Sequence, residues 1–257
     1  YVTTRVMALP QNLAEGTLKL SVLPGHIRAI RLTADSTTQR ARLWNALPVR
    51  AGDVLNLRDI EQGLENFERV PTAQANIQIE PADGPDAKPG ESDLVIRWTQ
   101  DRFFRVTASA DDSGSKSTGK YQGSLTVSYD NWWTLNDLFY VSVGHDLGGG
   151  DPGSRGTHSQ TLHYSLPFGY WLLGWNTSDS SYHQEVAGNN QNYVYSGNTS
   201  NSDVQLSRLI LRNAVHKTTL SLDGWLRSSS NFIDDTEIAV QRRQMAGWQM
   251  GVSHRAA

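Results

Sequence analysis

The chain has 257 residues, a formal net charge of −3 and no cysteine. The lack of cysteine excludes a disulfide framework and cysteine-ligated zinc, and the absence of a basic excess argues against a nucleic-acid partner. The length allows one large domain or two ordinary domains.

The composition of the chain changes near residue 101. Residues 1–101 carry 24 charged side chains, whereas the longer second part, residues 102–257, carries 25. The second part also holds six of the 8 Trp and 16 of the 22 Gly. A charged first part followed by a low-charge, aromatic and Gly-rich part predicts a domain boundary at residue 101.

The first 25 residues predict two strands joined by a turn. Residues 2–7 and 17–23 alternate in polarity as strands do, and residues 10–16 connect them. Two strands cannot bury much apolar surface by themselves. We therefore expect residues 1–25 to be the last strands of an earlier unit, with the natural protein continuing upstream.

The next 75 residues predict one mixed unit. Its predicted elements are a strand at 26–33, helices at 37–47 and 56–69, and strands at 75–80 and 93–99. In the first helix, Ala41, Trp44 and Leu47 lie at helical spacing, and Asn56 is positioned as the N-cap of the second helix. The order strand, helix, helix, strand, strand predicts an α+β domain.

The second part predicts about eight antiparallel strands. Residues 121–130 show the pattern, because Leu125, Val127 and Tyr129 alternate with small polar side chains. The other predicted strands are 102–110, 139–144, 161–166, 170–179, 203–213, 219–226 and 246–252. Long polar connections at 111–119, 148–156, 186–202 and 228–241 alternate with short ones at 131–136, 167–169 and 214–217.

Alternating loop lengths and an aromatic cluster favour a transmembrane β-barrel over a soluble β-sandwich. The aromatic side chains lie near the short connections, where an interfacial girdle is expected: Trp132, Trp133, Phe168, Tyr170 and Trp171. The sandwich remains the alternative, because alternating strands with polar turns describe both folds.

The sequence contains no convincing catalytic, cofactor or metal site. The seven His are dispersed, Gly148-Gly149-Gly150 lacks the residues of a nucleotide-binding loop, and the acidic pairs lie in predicted loops. We therefore expect a protein that is not an enzyme and needs no cofactor.

The predicted strand at 75–80 is the one candidate binding site. An exposed edge strand can accept an extended peptide through its unpaired backbone groups, and the helix at 37–47 could form a wall of the groove. The alternative is that this edge is covered within the domain. The candidate residues are Ala75, Asn76, Ile77, Gln78 and Ile79 of the strand, with Arg42 and Asn45 of the helix.

Four segments carry a resemblance to a known family. They read Leu-Pro-Gly-His-Ile at 23–27, Leu-Pro-Val-Arg-Ala-Gly-Asp at 47–53, Arg-Asp-Ile-Glu-Gln-Gly-Leu-Glu-Asn at 58–66 and Leu-Pro-Phe-Gly-Tyr-Trp at 166–171. Residues 26–100 resemble a polypeptide-transport-associated (POTRA) domain. The whole chain is similar to the two-partner secretion transporters (TpsB family), which export haemolysins, filamentous adhesins and contact-dependent inhibition toxins.

The resemblance implies that the chain contains two kinds of domain. Residues 1–25 would end a first POTRA domain, residues 26–101 would form a second one (β-α-α-β-β), and residues 102–257 would form the N-terminal part, about half, of a 16-stranded antiparallel barrel. The plug helix of the family and its Val-Arg-Gly-Tyr loop motif are not in this sequence, so no gating residue is assigned.

The resemblance also implies a function. A monomeric pore in the Gram-negative outer membrane, surrounded by lipid, would bind an unfolded TpsA-type client with its periplasmic POTRA domains and export it. One alternative is an assembly factor of the same superfamily that inserts barrels into the membrane. Another is a soluble β-sandwich binding protein, such as a lectin. The identity of the client does not follow from the sequence.

Overall fold

The computed structural model describes residues 3–12, 16–38 and 40–256. The chain divides into two compact units. The first unit comprises Tyr1–Asp101 together with two short segments, Thr134–Asn136 and Pro167–Tyr170, and the second unit comprises the rest.

The described residues of the first unit form five strands and two helices. They are β1 (Arg5–Ala8), β2 (Leu20–Leu23), β3 (His26–Leu32), α1 (Arg40–Ala46), α2 (Leu57–Phe67), β4 (Ala73–Pro81) and β5 (Glu91–Gln100). β1 and β2 pair antiparallel, as the sequence predicts. Parts of the predicted elements lie outside the described residues. They are residues 2 and 13–15 of the first segment and residue 39 of the first predicted helix.

The elements from β3 to β5 form the predicted β-α-α-β-β unit. The sheet has the order β3-β5-β4, with β3 parallel and β4 antiparallel to the central strand. A single apolar core lies between this sheet and the helices. Its fully buried apolar side chains are Ile27, Leu55, Phe67, Val70, Leu94, Ile96 and Trp98.

Helix α2 begins where the sequence predicts. The Asn56 side chain accepts a hydrogen bond from the Arg58 backbone N–H, which has no partner within the helix. Asp59 lies in the first turn, where a negative charge is favourable. The cap and the apolar stripe together fix the start and the buried face of the helix.

Helix α1 buries a different face from the one that its apolar spacing indicates. Arg42 is 3% exposed and Asn45 is 1% exposed, whereas Trp44 is 59% exposed. The three apolar residues at helical spacing therefore do not share one buried face, because Leu47 is buried whereas Ala41 and Trp44 are exposed. Polar side chains can be buried at low cost when every one finds a partner, and these two do so, as described below.

A buried carboxylate joins β5 to β3. Asp93 is fully buried and accepts two hydrogen bonds from the Arg28 guanidinium, at 2.9 and 2.6 Å. Arg31 lies 2.7 Å from the same carboxylate. The hydrogen bonds from Arg28 hold the pKa of Asp93 below its ordinary value of 3.8, although burial alone would raise it.

We predict that Asp93→Asn destabilises the three-stranded sheet by about 2 kcal/mol at neutral pH, because two guanidinium groups lose the negative charge and one of the two acceptor oxygens that they share. Folding lowers the pKa, so the stabilisation is complete above the unfolded pKa and is lost as the pH falls through the folded pKa. The loss begins below pH 3.8 in the wild type and is absent from the variant.

Hydrogen–deuterium exchange of the β5 amides in the intact protein, corrected for intrinsic rates at each pH, measures both effects. The matched control is Asp35→Asn, because Asp35 pairs with Arg97 at 2.7 Å on an exposed surface. We expect little change there. Equal protection of β5 in both variants would contradict the prediction.

The described residues of the second unit form one nine-stranded antiparallel sheet. Its strands are β6 (Phe104–Asp111), β7 (Tyr121–Asp130), β8 (Leu138–Gly148), β9 (Arg155–Phe168), β10 (Trp171–Ala187), β11 (Asn192–Arg212), β12 (His216–Ile233), β13 (Thr236–Glu237) and β14 (Arg243–Ala256). Neighbours in sequence pair from β6 to β13, and β14 pairs with β12. A single sheet in sequential order excludes the predicted alternative of two packed sheets.

The alternation of side chains along the strands is confirmed by the pairing. Thr126 and Ser142 lie opposite each other on β7 and β8, and their hydroxyl groups are 2.8 Å apart. Ser109 and Ser124 make the same contact at 2.7 Å. These hydroxyls follow the polar face of the sheet, while the apolar row of the same strands lies on the other face.

Aromatic rings form a continuous row at the short-connection end of β7 and β8. Phe103 stacks on Tyr129 at 6.3 Å between centroids. Trp132 then contacts both Tyr129 and Phe139 edge-on, each at 5.2 Å. This is the end of the sheet at which the sequence predicts an aromatic girdle.

For two segments the prediction of a long loop is wrong, because much of each segment belongs to a strand. Residues 186–202 and 228–241 were expected to be long polar connections, but most of the first segment belongs to β10 and β11, and Ser228–Ile233 belongs to β12. The β10–β11 ladder is continuous from Trp171 to Ala187. Ser, Asn and Thr can occupy both faces of a strand whose two faces are polar, so polarity alone does not end a strand.

Within the described part of the chain, no helix is long and apolar enough to cross a membrane.

Candidate peptide-binding edge

Strand β4 lies at an edge of the three-stranded sheet. β5 is its neighbour on one side, in a register that runs from Ala73 opposite Gln100 to Pro81 opposite Ser92. Among the described residues, no strand pairs with its other side. The predicted edge is therefore open to a further strand.

The residues of β4 whose backbone groups face the open edge follow from the bonds of β5. The Trp98 N–H donates to Ser36 Oγ and its C=O accepts from the Thr37 N–H, so both groups point away from β4. Ala75 lies opposite Trp98 in the register. In an antiparallel ladder such a pair exchanges no hydrogen bonds, so the N–H and C=O of Ala75 point outward.

The same alternation assigns the rest of the strand. Ile77 and Ile79 lie two and four residues from Ala75, so their backbone groups also face the open edge. Asn76 and Gln78 use their backbone groups for the ladder with β5. The open edge thus offers three donors and three acceptors in the spacing that an added strand requires.

The side chains of β4 divide by face. Ala75, Ile77 and Ile79 are half-buried, and Asn76 is exposed together with Gln78. The helix that packs beside β4 is α2, not α1. Helix α2 is therefore the helix beside the open edge, which corrects the sequence-based expectation of a wall formed by residues 37–47.

Arg42 and Asn45 do not line this groove. The Arg42 guanidinium lies over the Trp98 ring, 3.6 Å from its centroid, and donates to Thr38 Oγ1 at 3.2 Å. The Asn45 amide donates to the Leu135 and Pro167 carbonyls, the latter at 2.9 Å. Both side chains are buried and have partners, so neither is free to contact a peptide.

A cluster of three Asn side chains was not found from the sequence. The amide cluster consists of Asn45 of α1, Asn66 of α2 and Asn136 of the segment Thr134–Asn136, all of them buried. The Asn136 amide donates to Asn45 Oδ1 at 2.8 Å and to the Arg42 carbonyl at 3.1 Å. Asn66 donates to the carbonyls of Ala46, at 2.7 Å, and Gly169, at 2.8 Å.

The amide cluster holds two turns whose backbones need special conformations. Asn136 has φ +55° and Gly169 has φ +55°, in the left-handed region that Asn and Gly tolerate best. The Gly169 N–H donates to the Asn45 carbonyl at 2.8 Å. Backbone groups of both turns are thus paired within the first unit, where they would otherwise be buried without partners.

No local pattern could have revealed this cluster. The hydrogen bonds that the three Asn amide groups donate join residues that lie between 20 and 122 positions apart in the chain. The one available signal was the pair Arg42 and Asn45, two polar residues three apart on a short helix, which the sequence analysis assigned to a peptide groove.

Among the described residues, no group of three or more His, Cys, Asp and Glu is positioned to hold a metal ion.

Comparison with known proteins agrees with both parts of the fold. The family model for the haemolysin secretion/activation protein ShlB/FhaC/HecB matches residues 90–257, and a POTRA domain model matches residues 26–81. The chain belongs to the ShlB/FhaC/HecB family. The chain is located in the Gram-negative outer membrane, and in this family the POTRA domain lies in the periplasm.

Individual relatives of this family match most or nearly all of the chain. The outer membrane transporter CdiB-2 of Burkholderia pseudomallei (strain 1026b) is 37% identical over 99% of this chain and 42% of its own length. The hemolysin transporter protein ShlB of Serratia marcescens is 30% identical over 74% of this chain and 32% of its own length. The chain thus spans less than half the length of these relatives.

Solved structures of the family have the same fold. CdiB from Escherichia coli superposes with a TM-score of 0.90 at 28% identity, over 100% of this chain and 47% of that one. CdiB from Acinetobacter baumannii gives a TM-score of 0.88 at 32% identity, with the same coverage. The POTRA domain followed by an antiparallel barrel sheet, as predicted from the sequence, is confirmed.

We predict that Asn136→Ala destabilises the first unit by about 3 kcal/mol, because it removes two buried hydrogen bonds and because Ala tolerates the left-handed region less well than Asn. Asn136→Gly is the matched control, since it loses the same amide but tolerates the backbone, and we expect about 2 kcal/mol. Hydrogen–deuterium exchange of the α1 amides measures both. Wild-type protection in Asn136→Gly would show that the amide contributes nothing.

Proposed function

We propose that the protein is an outer-membrane transporter of two-partner secretion, and that its POTRA domain receives an extended client at the open edge of β4. The observation that carries this proposal is the orientation of the Ala75, Ile77 and Ile79 backbone groups toward an edge without a partner strand. The names of the relatives support transport, because each is a transporter. They favour it over the alternative of a barrel assembly factor.

Recognition through the backbone suits a client that arrives unfolded. An added strand satisfies its own N–H and C=O groups on those of β4, and this exchange is indifferent to most side chains. Specificity would come from the half-buried side chains of Ala75, Ile77 and Ile79 and from α2 beside them. No nucleotide or metal takes part in this binding step.

The polar face of the second unit suits the passage of an extended chain. The hydroxyl groups of Thr126 and Ser142, and of Ser109 and Ser124, can exchange hydrogen bonds with a moving backbone. Uncharged groups of this kind do not hold a passing segment strongly. In the proposed pore this face lines the lumen, the other face meets lipid, and the intact protein acts as a monomer.

The proposal includes the domain order expected from the sequence. Residues 1–25, which contain the hairpin of β1 and β2, belong to a first POTRA domain, residues 26–101 to a second and residues 102–257 to the barrel. The two POTRA domains would then contact the client before it reaches the lumen.

We predict that Ala75→Pro reduces secretion of the client at least tenfold. The expected reduction corresponds to the loss of one backbone contact that anchors the client strand. Proline lacks the N–H that faces the open edge, and it is tolerated at an edge strand because no bond to β5 is removed. The matched control is Ala75→Ser, which keeps the N–H and a small side chain, and we expect nearly full secretion. Secretion is measured as the amount of client outside the cells at equal transporter level in the outer membrane.

Full secretion by Ala75→Pro would remove the β4 edge from the proposed mechanism. The proposal of transport would stand in that case, because the client could bind elsewhere. Absence of secretion by the wild type, with every candidate client, would overturn transport itself.

A further inference from the structure

Helix α1 exposes Trp44, a large apolar side chain of the kind that a helix in a water-soluble protein usually buries. Its buried positions include Arg42 and Asn45, and its outer face presents Trp44, which is 59% exposed. A contiguous exposed patch of large apolar side chains, rather than a single one, marks a contact surface. Trp prefers a boundary where its ring is in an apolar environment and its N–H is in a polar one.

Among the described residues, Trp44 makes an aromatic contact with Phe168, which belongs to the part of the chain predicted to form the barrel. The Trp44 ring packs edge-on against Phe168, with 4.8 Å between centroids and 68° between planes. Phe168 is itself 44% exposed and lies in the segment Pro167–Tyr170 of the first unit. The two rings therefore form one exposed aromatic patch.

Phe168 is also the last residue of β9. Side chains alternate along a strand, so Phe168 continues the row of Leu162, Tyr164 and Leu166. The other row of the strand carries Thr161, His163 and Ser165. The apolar row is the lipid side of a barrel strand, and Phe168 lies at the end of it, next to a short turn.

We propose that Trp44 is a membrane anchor of the POTRA domain, with its indole in the headgroup region of the periplasmic leaflet. Phe168, which Trp44 contacts, ends the apolar row of β9, and interfacial Trp is enriched at the ends of the lipid-facing rows of barrel strands. Lipid is thus the occupant that matches the position, the size and the amphipathic character of the exposed ring. This proposal rests on the barrel fold and not on the identity of the client.

The test uses fluorine NMR of the intact protein labelled with fluorotryptophan and reconstituted in lipid nanodiscs. Trp44→Phe assigns the Trp44 resonance, and the substitution leaves the core intact because this side chain is more than half exposed. The internal control is Trp98, which is buried in the same domain and is assigned by Trp98→Phe. Two broadening agents are compared: a lipid with a nitroxide near its headgroup, and a gadolinium chelate that stays in water.

We expect the nitroxide lipid to abolish the Trp44 resonance and the aqueous chelate to leave it visible. The Trp98 resonance is expected to persist with both agents. Loss of the Trp44 resonance with the chelate alone would place the ring in water and overturn the proposal. Persistence with both agents would show that protein covers the ring, from a second copy or from another segment, and would overturn it as well.

Discussion

The structure depends on one constraint: each backbone N–H and C=O that leaves water must find a partner. In the second unit the constraint is met by continuous ladders, such as the register of β10 with β11. Membranes enforce it strictly, since lipid offers no hydrogen bonds, and only helices and closed barrels can cross. The unbroken pairing of neighbouring strands from β6 to β12 follows from that rule.

The same constraint explains the two features of the first unit that matter for function. Carbonyl groups of the turn segments are paired by the amides of Asn45 and Asn66, which accounts for buried polar residues on α1 and α2. The open side of β4 is the opposite case, because Ala75, Ile77 and Ile79 leave their backbone groups unpaired by any described strand. An added client strand would supply hydrogen-bond partners for these backbone groups.

Local patterns were enough to predict the element order and the edge. The Asn56 cap and the alternation along β7 lie within a few residues, where periodicity carries the information. The orientation of α1 was not predictable, because the partners of Asn45 come from turns 90 and 122 residues away. The end of β10 was missed for another reason: Ser and Asn fit a two-sided polar strand as well as a loop.

Single-channel recording of the intact protein in a planar bilayer tests the central claim most directly. A peptide from the N-terminal region of a candidate client is added on the POTRA side. The account predicts a conducting pore whose current the peptide blocks, because pore and receptor belong to one molecule. A protein that forms no channels, or channels that no client peptide affects, would contradict the account.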